Sequence, residues 1–151
     1  MRNDLCKMNY ANACCAIVID SRGRLLLQHR DDLPHIWYPD TWCFFGGAVE
    51  PNESDEVAVL REFVEETALE AKVEHELMRF TFDVGPIGGV QIYRAYYFLS
   101  LLDDFAEDSF PVREGRLGRA VSIQEAAQLN WSPYDRFCLD VLIDHRYFDV
   151  S

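Results

Sequence analysis

The stretch GAVEPNESDEVAVLREFVEETAL, residues 47–69, decides how this chain reads. It opens on a glycine, turns at Pro51 and Asn52, and continues with helical periodicity from Ser54 onward. Val57, Leu60, Val64 and Ala68 fall at i, i+3, i+7 and i+11, which predicts an inward apolar stripe. Asn52 or Ser54 stands where a helix cap is needed, and Asp55 and Glu56 suit the positive first turn. Glu62, Glu65 and Glu66 lie largely off that stripe. On a helix their spacings make them neighbours, and like charges so placed destabilise it by about 0.2–0.5 kcal/mol per pair. A solvated acidic face is one reading of this crowding. A bound divalent cation, which would remove the repulsion, is the other.

Outward towards the N-terminus, residues 43–46 (CFFG) read as a short apolar strand ending in the glycine pair Gly46 and Gly47. Residues 31–42 (DDLPHIWYPDTW) hold two prolines and three large aromatics, so they form a loop. Trp37, Tyr38 and Trp42 in that loop are candidates for contact with a ligand, with covering of the core edge as the alternative. Residues 13–20 (ACCAIVID) and 24–30 (RLLLQHR) read as two strands joined by a turn at residues 21–23. Towards the C-terminus, residues 72–84 and 90–102 are rich in β-branched and aromatic types, and GPIGG at residues 85–89 reads as a hairpin loop. Ser122 and Glu125 have capping-box spacing. Ser132 and Pro133 open a last helix, with Phe137, Val141 and Ile143 or His145 as expected inward positions.

The length of 151 residues suits one domain over residues 1–151, with elements of an α+β fold. The net charge of -12 argues against a nucleic-acid partner, which needs a basic surface. A small anionic substrate is compatible if cations or a few basic groups receive it. Five cysteines without a C-x-x-C pattern signal neither a disulfide framework nor a zinc site. Free thiols, the lack of a secretory signal pattern and the shortness of every apolar run predict a cytoplasmic protein without a membrane partner.

Residues 47–69 resemble the Nudix box, G-x5-E-x7-R-E-U-x-E-E-x-G-U with U a large apolar residue. Gly47, Glu53, Arg61, Glu62, Glu65 and Glu66 match its fixed positions. The resemblance implies a Nudix-type α/β/α sandwich with a mixed β-sheet. It also implies hydrolysis of a nucleoside diphosphate linked to another moiety, with Mg2+ or Mn2+ as cofactor and water attacking phosphorus. Carried over position by position, Glu62 and Glu66 match the principal metal ligands, Glu65 an additional one, and the Gly47 carbonyl a backbone ligand. Arg61 matches the arginine that orients a box glutamate, and Glu53 the loop glutamate. Glu62, or a glutamate outside the box such as Glu114, is the expected general base. A hard cation takes oxygen ligands of this kind. The family is rich in dimers, so a homodimer is a compatible state.

Three positions depart from the pattern. Ala68 replaces a glycine at the end of the helix, Phe45 stands where many members have proline, and Arg119 occupies a place that is acidic in several members. None removes a box carboxylate, which favours an enzyme over the alternative of a non-catalytic nucleotide-binding sensor. A nucleoside triphosphate or a nucleotide sugar leads the substrate expectations, and a dinucleoside polyphosphate is compatible. Trp37, Trp42 and Asp135 are the expected substrate contacts. Asp135 resembles an Asn or Asp that base-selective members place near the last helix. The other reading of Asp135 is a surface acid in a first helical turn.

Overall fold

The structure is a computed structural model that describes residues 11–36, 38–84 and 89–145. Among these residues, eight strands form two four-stranded sheets. The first sheet has the order β4 (Phe45–Ala48), β1 (Ala13–Val18), β6 (Val90–Leu101), β5 (Ala71–Val84). It is mixed: β1 runs parallel to β6 and antiparallel to β4, and β5 is antiparallel to β6. The second sheet is antiparallel, with the order β3 (Trp42–Cys43), β2 (Leu25–His29), β8 (Leu117–Val121), β7 (Ser109–Phe110).

Strand alternation then builds the layers. On β1, Cys15 and Ile17 face one core with Leu25, Leu27, Tyr96 and Leu139. Cys14, Ala16 and Val18 face another with Val59, Phe63, Ala95 and Leu99. Helix α1 (Asp55–Thr67) covers the second core. Helices α2 (Ile123–Ala126) and α3 (Pro133–Asp144) cover the first. The result is the expected α+β arrangement of helix, strand and helix layers.

Four local expectations are corrected. β1 and β2 do not pair as a hairpin: they belong to different sheets and share only the bridge Ile19–Leu25. The turn between them is held instead by the Asp20 carboxylate, which accepts from the backbone of Arg22 and Arg24 and from Arg24 Nε. The single strand expected near residue 43 is split, because the chain passes from one sheet to the other at Phe44. The inward face of α1 is Ala58, Val59, Phe63 and Thr67, whereas Val57 and Val64 are 57% and 37% exposed. Phe63 decides this, since its ring packs edge-on against Phe45 at 5.8 Å and buries more apolar area than either valine would. In α3 the buried set is Asp135, Cys138, Leu139 and Leu142, and Phe137 is exposed. The β5–β6 pairing follows expectation from Ala71↔Leu101 to Val84↔Val90, and residues 85–88 of its loop lie outside the described residues.

Candidate active site

The inward placement of Phe63 sets where the charged residues of α1 point. With Val59, Phe63 and Thr67 against the sheet, Arg61, Glu62 and Glu66 are half-buried along the flank, and Glu65 is exposed. Ser54 caps the start, its Oγ accepting from the Val57 N–H at 3.3 Å. At the other end Ala68 adopts φ 60° and ψ 12°, and its N–H donates to the Val64 carbonyl at 2.8 Å. The position thus keeps the left-handed conformation that glycine usually supplies.

Arg61 is the hub. Its Nε donates to Glu53 Oε2 at 2.7 Å and its Nη2 to Glu53 Oε1 at 2.9 Å, a two-pronged grip on the loop carboxylate. Nη2 also donates to the Ala48 carbonyl at 3.1 Å, and Nη1 to Glu62 Oε1 at 3.1 Å and Glu65 Oε2 at 3.4 Å. Arg61 and the Glu50 N–H hold the Glu53 carboxyl down at about 2. One guanidinium therefore ties the loop, the end of β4 and the helix into a single frame.

Glu62 and Glu66 behave oppositely. Burial pushes both carboxyls above the ordinary carboxylate range, and the nearby Glu114 carboxylate adds to the rise. The Glu62 carboxylate lies directly against the backbone of Gly47, where an added Cβ would meet its oxygens at 2.6 and 2.7 Å. The missing Cβ at Gly47 leaves room for the Glu62 carboxylate to rest against the strand in this position. A strap closes the far side: the Glu114 N–H donates to Glu66 Oε2 at 3.2 Å, and the Arg113 N–H to the Glu66 carbonyl at 3.2 Å. Gln28 anchors the strap by donating from Nε2 to the Glu114 carbonyl at 2.6 Å, and Gly115 turns it at φ 88°.

Among the described residues, no three acidic, histidine or cysteine side chains converge closely enough to enclose an ion by themselves. The donor set still fits a hard cation that takes a few protein oxygens and completes its shell with water and phosphate. Gly47, Glu62 and Glu66 are the residues that would supply such oxygens, with Glu65 at the exposed rim.

The chain matches the NUDIX domain over residues 9–142. It belongs to the Nudix family of pyrophosphohydrolases. Among solved structures, this Nudix fold is similar to the E. coli ORF135 protein, with 26% identity, a TM-score of 0.67 and 89% of each chain covered. It is also similar to the Nudix hydrolase RenU of M. smegmatis, with 23% identity, a TM-score of 0.70, and 91% of this chain and 86% of that one covered. A third is the E. coli dihydroneopterin triphosphate pyrophosphohydrolase, with 18% identity, a TM-score of 0.67, and 88% and 94% covered. No curated protein matches by sequence.

Outside the Nudix box the expected substrate contacts fare differently. Trp37 lies outside the described residues. Trp42 is only 9% exposed, and one face of its ring stacks on His29, its partner across β2 and β3, at 4.4 Å. Asp135 is not a surface acid: it is 0% exposed. Its Oδ2 accepts from the Phe44 N–H at 2.9 Å, and its Oδ1 accepts from Tyr96 Oη at 2.6 Å and Arg94 Nη2 at 3.0 Å. Arg119 forms an exposed ion pair with Glu125 at 3.3 Å. A cavity of about 510 Å³ lies at the other end of β1 and β6, lined by Ile17, Ile19, His75 and Phe98 among others, and it contains none of the box residues. Two residues escaped the sequence reading, Gln28 and Arg94. Arg94 had a signal: with Ile92, Tyr96 and Phe98 it occupies alternate positions on one face of β6, where a charge needs a partner.

Proposed function

We propose that this chain hydrolyses a small nucleoside diphosphate derivative in a reaction that depends on Mg2+ or Mn2+. A nucleoside triphosphate or a nucleotide sugar is the leading substrate. The observation that carries the reading is the Glu62 carboxylate pressed into the space left by Gly47, beside the Arg61–Glu53 frame. Gly47, Glu62 and Glu66 would hold the cation, with Glu65 as an added ligand. When bound, the cation supplies charge neutralisation at the phosphate oxygens. Arg61 fixes Glu53 and Glu62 so that their oxygens do not have to be reordered as substrate arrives. A water molecule attacks one phosphorus, its proton passes to Glu114 or Glu62, and the bond to the bridging oxygen breaks. Glu114 suits this role because it is exposed, free to meet a substrate, and tethered through its backbone to Glu66. The structurally similar E. coli dihydroneopterin triphosphate pyrophosphohydrolase is named for a triphosphate substrate, which is consistent with this substrate class.

The test is a panel of nucleoside triphosphates, nucleotide sugars and dinucleoside polyphosphates, each with Mg2+, Mn2+ or EDTA. Running it in 18O-labelled water shows by mass which phosphorus is attacked. Turnover with a metal and none in EDTA is expected. Absence of turnover on every compound with both metals would overturn the proposal.

A further inference from the structure

The box explains how phosphates are received but leaves the rest of the substrate unread. Across β1 from it lies Arg94. Ala13 pairs with Ala48 of β4 on one side and with Arg94 of β6 on the other. Two strand spacings put the Arg94 backbone roughly 9.5 Å from that of Ala48, the neighbour of Gly47. Because β4 is the sheet edge, one ligand can reach past it to both places.

The surroundings of Arg94 are aromatic. Its guanidinium carbon lies 5.8 Å from the centre of the Tyr96 ring and 6.0 Å from that of Tyr134. Tyr134 in turn stacks on Phe82 at 5.0 Å and lies 5.9 Å from Phe80. Phe80, Phe82 and Tyr134 are only half-buried, so part of this platform faces solvent. Asp135 is 0% exposed and faces no ligand there in this structure. It acts on Arg94 instead. Asp135 and Tyr96 take Nε and Nη2 and fix the plane of the guanidinium. Nη1 has no hydrogen bond among the described residues, and the side chain is 24% exposed. A fixed guanidinium with unspent donors beside aromatic faces can read two adjacent acceptors on a planar ring.

We infer that Arg94 is a specificity-determining residue and that it selects a nucleobase presenting two neighbouring acceptor atoms. Guanine offers these at N7 and O6, and cytosine at N3 and O2. Adenine and uracil alternate donor and acceptor along the corresponding edges and meet one guanidinium prong with a donor. Asp135 and Tyr96 are positioning residues for Arg94. The inference rests on the proposed nucleotide substrate, and its test is a binding measurement that needs no turnover.

Calorimetric titration of the wild-type protein with GMP, CMP, AMP and UMP, in Mg2+, gives the ranking. Tighter binding of GMP or CMP than of AMP and UMP, by about tenfold or more, is expected. Two ligand variants locate the contact without altering the protein. 7-Deaza-GMP and 3-deaza-CMP replace one acceptor by C–H, and the preferred parent compound should lose that tenfold advantage. Arg94→Lys keeps the charge beside Asp135 but loses the fork, and it should bind all four nucleotides within about threefold of each other. Equal binding of the four by the wild type would overturn the inference. So would an unchanged affinity for the deaza analogue of the preferred base, which decides the matter even if Arg94→Lys fails to fold. A hydrolysis panel that fails while these preferences hold would instead reject the proposed activity alone.

Discussion

Ala68 adopts the left-handed conformation although it carries a Cβ, at a cost of about 1–2 kcal/mol relative to the right-handed form. Ala68→Gly should therefore stabilise the protein, by up to about 1 kcal/mol in chemical denaturation, and a loss of stability would show that the helix end depends on the methyl group. Glu66 presents the opposite balance. Its carboxyl is raised by burial and by Glu114, so in the absence of metal its ionisation favours unfolding. That contribution to stability is complete below the ordinary value of 4.5 and is lost as pH rises through the raised one. Glu53, held at about 2, contributes stability above its ordinary 4.5 that disappears as pH falls towards 2. Glu66→Gln should thus raise the melting temperature in EDTA at neutral pH while lowering kcat about 100-fold or more in Mg2+, since it removes a ligand from charge stabilisation worth several kcal/mol. A variant that melts lower and turns over at the wild-type rate would contradict both halves.

At the scale of elements, the strap of residues 112–116 joins β2 to the end of α1. Gly115 is its weak point: at φ 88° a Cβ would lie 2.7 Å from the His29 carbonyl oxygen and 2.9 Å from Gln28 Nε2. Gly115→Ala should displace the strap, weaken activation by Mg2+ about tenfold or more, and leave the melting temperature within a few degrees, because no core residue is touched. An unaltered metal dependence would mean that the strap does not support the carboxylates. Helix α1 also shows what was legible in the sequence and what was not. Its existence, cap and carboxylates followed from local spacing, because such signals lie within a few residues of one another. Its buried face did not. Val57–Leu60–Val64 and Val59–Phe63 both have helical spacing, and only the Phe45 ring opposite settles the choice. The surface-acid reading of Asp135 fails for the same reason. Its partners Arg94 and Tyr96 lie on a distant strand, and no local pattern connects them.

For the whole molecule, a net charge of -12 at a single-chain size makes cations matter to stability as well as to chemistry. A divalent ion bound only by the folded state adds about 2.7 kcal/mol at a concentration 100 times its Kd. Melting curves in millimolar Mg2+ or Mn2+ should therefore lie several degrees above those in EDTA, and Glu62→Gln should abolish the difference. Coincident wild-type curves would argue against a folded-state metal site.

Cys14 and Cys15 are adjacent on β1, fully buried, and turned to opposite sides of the sheet. The two thiols are therefore reporters for two different doors. An alkylating reagent reaches Cys14 only when the α1 layer lifts, and Cys15 only when the α3 layer does, since both are sealed in the closed state. In variants that keep only Cys14 or only Cys15 of the five cysteines, labelling rates under native conditions give the opening free energy of each layer separately. Added Mg2+ should slow labelling of Cys14, on the side that carries the carboxylates, while a tightly bound nucleobase should slow labelling of Cys15. The strand thus lets one chemical measurement tell which half of a ligand has engaged.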